Sequence, residues 1–124
     1  MPIHWEVDPQ QRLVTVVAEG DVTRADVEAY LDAIDQAGLY GYRKLLDARH
    51  GRTRMPREEL LALGARMRAT HAAGHAMGAL AAVLPDGYEE ATSRVLGMMA
   101  AAERPMRVFR QVGPARKWIR SLPG

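Results

Sequence analysis

Cysteine is absent from the 124-residue sequence, and motifs for nucleophilic catalysis and phosphate binding are missing as well. Without cysteine the chain has no disulfide framework, no thiolate zinc site and no thiol nucleophile. The two serines, Ser93 and Ser121, stand in no nucleophile-elbow context, and no glycine-rich phosphate loop or dinucleotide fingerprint occurs. We therefore expect a protein that is not an enzyme and that has no cofactor.

Long hydrophobic runs are also lacking. The longest uncharged apolar run, AMGALAAVL at residues 76–84, is far shorter than a membrane span, and the initial MPIHWEV does not have the pattern of a secretion signal. These features predict a cytoplasmic protein without stable membrane insertion. Because 48% of the residues are hydrophobic, we expect one domain with its own core over residues 1–124.

The formal net charge is only +2, but the charges are distributed unevenly. Residues 1–40 carry two arginines and eight acidic residues, whereas residues 41–124 carry fifteen basic and seven acidic residues. The small total argues against a nucleic-acid binder, since such proteins usually have a larger basic excess. The asymmetry is compatible with anion binding, with head-to-tail association or with ordinary solvation.

The first forty residues predict a hairpin followed by a helix. IHWEV at 3–7 alternates apolar and polar residues, RLVTVVAE at 12–19 is rich in β-branched residues, and the short turn between them favours antiparallel pairing. Thr23 and Asp26 then have the spacing of a capping box, and Gly38 is placed to end the helix.

The rest of the chain alternates predicted strands and helices. Three apolar runs predict strands: RKLLDA at 43–48, ALAAVL at 79–84 and MRVFR at 106–110. Three helices are predicted: from Pro56, as first helical residue, to about Gly74; from Asp86 to about Ala102; and from Gly113 onward. The order ββαβαβαβα predicts an α/β fold with a five-stranded mixed sheet, in which the first strand is antiparallel, the rest are parallel, and helices flank the sheet.

Two segments carry a family resemblance: YRKLLDAR at 42–49 and RPMRVFRQVGPARKWI at 104–119. Together with the element order over essentially the whole chain, they resemble the SpoIIAA-like family, whose members are related to the STAS domain of anti-sigma-factor antagonists. The resemblance implies a mixed five-stranded sheet flanked by helices, also compared with SEC14-type lipid-binding domains. The resemblance also implies a regulatory role. In the antagonists, partner binding is controlled by phosphorylation of a serine at the start of the helix after the third strand. Here that region reads HGRTRMPRE, with Thr53 as its only hydroxyl, so the resemblance does not extend to this switch.

The arginine-rich loop at 49–57 contains the candidate binding residues. Ligands of parallel α/β sheets bind at the carboxyl ends of the strands, where helix N-termini attract anions. We predict that Arg49, His50, Arg52 and Arg54 lie at this edge together with Arg110, and that they bind a phosphate or carboxylate. The alternative is a solvated loop whose arginines pair with the acidic residues of the first forty.

Two other constellations predict no site. His71 and His75 are four residues apart, but no glutamate follows His71 and Gly74 is placed to end the helix, so we predict no metal site. Asp47 and His50 are residue types that serve as base and orienting partner in hydrolytic sites, but no nucleophile accompanies them.

Two functional hypotheses follow from these features. The first is a non-enzymatic STAS-like regulatory or protein-interaction module that forms a homodimer. The second is a carrier of a small anionic or lipid-like ligand, held near loop 49–57 and a helix rich in apolar residues, namely Val95, Leu96, Met98 and Met99. An apolar cavity beneath the loop would favour the carrier, and a flat, filled surface with an exposed apolar patch elsewhere would favour the module. A hydrolase would need a nucleophile near His50.

Overall fold

A five-stranded sheet organises the described part of the chain, and its strands lie side by side in chain order. The computed structural model describes residues 2–85, 97 and 104–124. The strands are β1 (Ile3–Asp8), β2 (Leu13–Asp21), β3 (Arg43–Arg52), β4 (Leu80–Val83) and β5 (Met106–Phe109). The described helices are α1 (Arg24–Ala37), α2 (Arg57–Ala72) and α3 (Val112–Ser121). Strand β1 is antiparallel to β2 and the other pairs are parallel, which confirms the predicted mixed sheet.

Helix α1 has the ends that the sequence predicts. The backbone N–H of Thr23 donates to the Asp26 carboxylate at 2.8 Å, and the Asp26 N–H donates to the Thr23 hydroxyl at 3.3 Å, which completes a capping box. At the other end Gly38 has φ 68°, a left-handed conformation that glycine adopts without strain. Helix α2 differs slightly from its prediction, because the extended backbone of Pro56 places this residue at the N-cap and the helix begins at Arg57.

Strand β3 is longer than predicted, since it continues past Ala48 to Arg52. Beyond the last residue that pairs with β4, it still pairs with β2 after a register shift, with His50 opposite Glu19 and Arg52 opposite Asp21. The two backbones approach closely here, because a Cβ atom on Gly51 would lie 3.0 Å from the carbonyl oxygen of Ala18. Much of the predicted loop 49–57 is therefore a strand, which pairs its backbone groups with β2.

The two faces of the sheet are covered by different helices. Alternation along β2 and β3 sends Leu13 and Leu45 to the face that packs against Ala115 and Ile119 of α3. The opposite face contacts α1, and α1 in turn packs against α2; the buried residues on this side include Val14, Val16, Ile34, Leu31, Leu63 and Met67. Within the described residues no helix is long and apolar enough to cross a membrane. The helix predicted between 86 and 102, with Val95, Leu96, Met98 and Met99, lies outside the described residues apart from Gly97.

Candidate functional site

Arg49, the first predicted anion-binding residue, is already paired with a carboxylate. Its Nε and Nη2 atoms each lie 2.9 Å from the oxygens of Asp47, and its backbone N–H donates to the same side chain at 3.2 Å. These hydrogen bonds hold the pKa of Asp47 below its ordinary value, although partial burial opposes them. An anion that bound Arg49 would therefore compete with Asp47.

Arg52 and Arg54 share a second carboxylate, that of Asp21. Arg52 Nε lies 2.6 Å from the Asp21 oxygen, and Arg54 Nε lies 4.0 Å from it. The hydrogen bond from Arg52 lowers the pKa of Asp21. Asp21 belongs to the acidic first forty residues, so part of the charge asymmetry is balanced within one chain. Between the two arginines, Thr53 donates its hydroxyl to the carbonyl oxygen of Val22 at 3.0 Å.

The structure separates the five predicted site residues into two groups. Arg52 and Arg54 line a cavity, whereas Arg49, His50 and Arg110 are exposed residues that are not among those lining it. Arg110 follows β5 directly, and β4 lies between β5 and β3, so the backbones of β3 and β5 are roughly 10 Å apart. The carboxyl edge is common to all five, but within the arginine-rich segment it is the stretch 51–55 that borders the cavity.

The cavity lies on the α1–α2 side of the sheet and has a volume of about 380 Å³. Its walls are mainly apolar and come from the strands, from α1 and α2 and from their connections; they include Val16, Leu46, Ala48, Met67, Met77 and Leu84. At one end the side chains of Arg52 and Arg54 are 62% and 84% exposed. The cavity therefore approaches solvent at the carboxyl edge of β3, directly beneath the segment that the sequence singles out.

Lys44 forms part of the opposite end of the cavity, at the start of β3. The residue is only 4% exposed, and its ammonium donates to the carbonyl oxygens of Leu39, Tyr40 and Tyr42 at 3.2, 2.7 and 2.8 Å. Burial lowers the pKa of Lys44 to about 7, and the nearby positive charge of Arg104 contributes in the same direction. Lys44 thus fixes the connection between α1 and β3 at a high electrostatic cost.

Arg104 is the second cation at this end of the cavity. It precedes β5, and its buried Nε atom has no hydrogen-bond partner. Burial lowers the pKa of its guanidinium, and interaction with Tyr30 opposes this effect. Tyr30 also lines the cavity, and burial raises the pKa of its hydroxyl to about 12, so the group remains a neutral phenol at physiological pH. Arg104 therefore lies within electrostatic range of both Lys44 and Tyr30 in apolar surroundings.

Lys44 and Arg104 are site residues that the sequence reasoning missed. A signal for Lys44 existed, because residue 44 alternates with Leu46 and must point to the same, cavity-lining face of a central strand. A lysine at such a position is unusual, since lysine is rarely buried without a partner. Arg104 gave no comparable signal, because it lies outside the predicted strand.

The described residues contain no group of three His, Asp or Glu side chains arranged to bind a metal. Helix α2 ends at Ala72, so His71 belongs to the helix and His75 lies beyond it. The His75 ring packs against the ring of Tyr40 with a centroid distance of 5.0 Å. The two histidines therefore do not share one helix face, as a metal pair at this spacing would require.

Comparison with known proteins identifies the family. A family model described as SpoIIAA-like matches residues 13–120. The chain belongs to the SpoIIAA-like family. A crystallised, uncharacterised protein of the DUF3478 family with a SpoIIAA-like fold, from Shewanella loihica PV-4, is similar over 94% of this chain and 93% of its own, with 17% identity and a TM-score of 0.61. At this identity the likeness concerns the SpoIIAA-like fold alone. No protein with a curated description matches the sequence.

Proposed function

We propose that this SpoIIAA-like protein is a non-enzymatic binding module whose ligand is a small amphipathic, lipid-like molecule held in the cavity between the sheet and helices α1 and α2. The observation that supports this proposal is the apolar cavity beneath Arg52, Thr53 and Arg54. Between the two sequence hypotheses, this feature favours the carrier over a module that acts through protein contacts alone.

The physical basis of the proposal is the hydrophobic effect. A cavity of about 380 Å³ falls within the range of small-molecule sites, which are commonly apolar with a few polar groups. Apolar cavities exclude water and accept apolar ligands, and burial of ligand surface contributes roughly 25 cal/mol per Å². An apolar ligand tail would therefore be stabilised along the wall formed by Leu46, Ala48 and Leu84.

The arginine-rich segment has a secondary role in this proposal. Arg52 and Arg54 lie at the exposed end of the cavity, where they attract an anionic molecule before it enters. Direct binding of an anion by Arg49, His50, Arg52, Arg54 and Arg110 remains a prediction. Because Asp47 and Asp21 already pair with three of these arginines, an anion there would displace existing ion pairs.

A regulatory module that acts through protein contacts is the second candidate. Leu61 on α2 is 55% exposed and Val108 on the edge strand β5 is 39% exposed, so two apolar side chains are available to a protein partner or to a second copy of the chain. A homodimer and a cytoplasmic location are also proposed for this protein. A ligand-dependent change in such an interaction would join the two functions.

The carrier proposal is tested by binding of the neutral apolar dye N-phenylnaphthylamine, followed by its fluorescence. Native mass spectrometry of freshly purified protein tests in parallel for a bound molecule from the host cell. The Ala48→Leu variant introduces a larger side chain at the cavity wall, so we expect it to bind the dye at least tenfold more weakly. Its thermal stability should be unchanged or slightly higher, because the added atoms occupy existing space.

Ala65→Leu is the matched control, because Ala65 is an exposed position of α2 that does not line the cavity. This variant should bind the dye as the parent protein does. If the parent binds no dye and carries no molecule in native mass spectrometry, or if Ala48→Leu and Ala65→Leu bind equally, the proposed function is wrong. A concentration-dependent dimer without ligand binding would then favour the protein-interaction module.

A further inference from the structure

The inner end of the cavity holds two cationic groups, the buried Lys44 and the partly buried Arg104, for which the described residues supply no carboxylate in an ion pair. The ion pairs within residues 2–85 and 104–124 involve other side chains, and neither Lys44 nor Arg104 takes part in one. Buried charges are normally paired, because leaving an ion in a low-dielectric environment without a counter-charge is costly. This arrangement requires a physical explanation.

Strand register explains why these two groups come together. Lys44 pairs with Leu80, and Leu80 pairs with Met106, so the three residues form a row across β3, β4 and β5. Arg104 lies two residues before Met106 and lines the same cavity as Lys44 and Leu80, so it is on the same side of the sheet. The row lies at the amino ends of the parallel strands, so the cations are at the end of the cavity opposite to Arg52 and Arg54.

The two cations differ in what they offer to a ligand. The protonated Lys44 ammonium donates its three protons to the carbonyl oxygens of the α1–β3 connection, so below its pKa of about 7 Lys44 contributes charge rather than a free donor. Arg104, in contrast, has a buried Nε–H without an acceptor. An unsatisfied buried donor of this kind costs stability unless a ligand completes it.

Tyr30 adds a neutral donor beside this pair. Its ring is fixed by an edge contact with Trp5 at a centroid distance of 5.4 Å, and its hydroxyl lies close enough to Arg104 for the two groups to influence each other's protonation. A phenol and a guanidinium that line one cavity are a suitable environment for an anionic oxygen, because both groups donate hydrogen bonds.

We propose that Arg104, supported by the charge of Lys44 and the hydroxyl of Tyr30, binds the anionic headgroup of an amphipathic ligand whose apolar tail extends along the cavity toward Arg52–Met55. This inference rests on the proposed function and specifies its ligand class as an apolar chain with one carboxylate or phosphate monoester. It also places the headgroup at the amino edge of the sheet instead of the arginine-rich carboxyl edge.

The test compares ligands that share a tail and differ in charge. Decanoate, decyl phosphate and neutral decanol are titrated as competitors of N-phenylnaphthylamine, with protein folding checked by circular dichroism. We expect at least one of the two anions to bind about tenfold or more tightly than decanol, since a charge-assisted hydrogen bond in a desolvated site is worth about that factor. Tighter binding of either anion than of decanol supports the inference. The anion with the higher affinity identifies the preferred headgroup.

Arg104→Met is the diagnostic variant, and Arg107→Met is its control. Both substitutions remove one positive charge at or next to β5, but the exposed Arg107 guanidinium lies over the ring of Phe109, 5.1 Å from its centroid, and does not line the cavity. We expect Arg104→Met to lose the preference for anions while its affinity for decanol stays within about twofold of that of the parent. Arg107→Met should keep the preference, and Arg104→Lys should restore part of it, because lysine keeps the charge but loses the forked geometry.

Each contrary outcome has a defined meaning. If decanol binds as tightly as both anions, or if Arg104→Met retains the preference, the headgroup site is wrong while the cavity remains a ligand site. Loss of that retained preference in the double variant Arg52→Ala/Arg54→Ala would place the headgroup at the carboxyl edge instead. If the dye binds but none of the three ligands displaces it, the inference alone fails. If the parent protein binds no dye and carries no molecule in native mass spectrometry, the inference and the proposed function both fail.

Discussion

Arg43 joins three separate parts of the chain through its guanidinium group. The residue begins β3 and is 7% exposed. Its Nη1 donates to the carbonyl oxygens of Ile119 and Leu122, each at 2.9 Å, and its Nη2 donates to the carbonyl oxygen of Gln11. The first two acceptors lie at the end of α3, whose last carbonyl groups have no partner within the helix. Arg43 therefore attaches α3 to the sheet and to the β1–β2 turn.

The substitution Arg43→Met removes these three hydrogen bonds, and their strength sets the expected loss in the free energy of unfolding. Charge-assisted hydrogen bonds contribute about 1.5–3 kcal/mol each, and a buried acceptor without a donor costs a similar amount. One of the three bonds is buried and two are partly buried, so water compensates part of the loss at the latter. Arg43 has no carboxylate partner among residues 2–85 and 104–124, so removal of this buried cation also recovers some free energy. We expect a net loss of about 3 kcal/mol in the free energy of unfolding.

Urea denaturation monitored by circular dichroism measures this loss. Arg116→Met is the control, because Arg116 is an exposed residue of α3, and its effect should stay below about 0.5 kcal/mol. Arg43→Lys should lie between the parent and Arg43→Met, since one ammonium does not reach three acceptors in a fork geometry. A loss below about 1 kcal/mol for Arg43→Met would refute the attachment of α3 by this residue.

Further predictions concern close packing and pH. A Cβ atom on Gly78 would lie 2.3 Å from the carbonyl oxygen of Tyr42, so Gly78→Ala should lower the free energy of unfolding by about 3 kcal/mol. The control Gly113→Ala meets no neighbouring atom and should be neutral or slightly stabilising; equal effects in urea denaturation would contradict the packing argument. The pKa of Lys44 is lowered from 10.5 to about 7, so the unfolded chain binds more protons between these values. Stability should rise by about 3 kcal/mol from pH 7 to 9.5, and this rise should disappear in Lys44→Met. Because the pKa of Tyr30 is raised from 10.0 to about 12, its contribution is present below pH 10 and is lost as the pH rises toward 12. If the urea concentration at the unfolding midpoint decreases as the pH rises from 7 to 9.5, the lowered pKa of Lys44 is contradicted.

Local patterns explain why most secondary structure could be predicted. The Thr23–Asp26 capping box and Gly38 set the ends of α1 through contacts within a few residues, and both were recognised from sequence. The extension of β3 to Arg52 was not recognised, because it depends on pairing with Glu19–Asp21 of β2 rather than on local preference. Glycine and arginine at 49–52 have the composition of a loop, whereas the available edge of β2 makes this segment a strand.

The candidate site was predicted only in part, for a related reason. The sequence pointed to an arginine-rich segment after the third strand, but the fold makes part of this segment a strand and gives its arginines Asp47 and Asp21 as partners. Lys44 and Arg104 are sixty residues apart, and only the register across β3, β4 and β5 brings them to one end of the cavity. Long-range contacts of this kind leave no local pattern.

The sequence by itself determined the α/β class, the order of the strands and helices and the resemblance to the SpoIIAA-like family, because hydrophobic periodicity and end signals act over a few residues. Only the tertiary structure decided that β3 extends through the arginine-rich segment, that a cavity lies beneath it, and that two cations without a described carboxylate partner lie at the cavity's inner end. These features result from strand register and from the space left between packed elements, which depend on residues far apart in the chain.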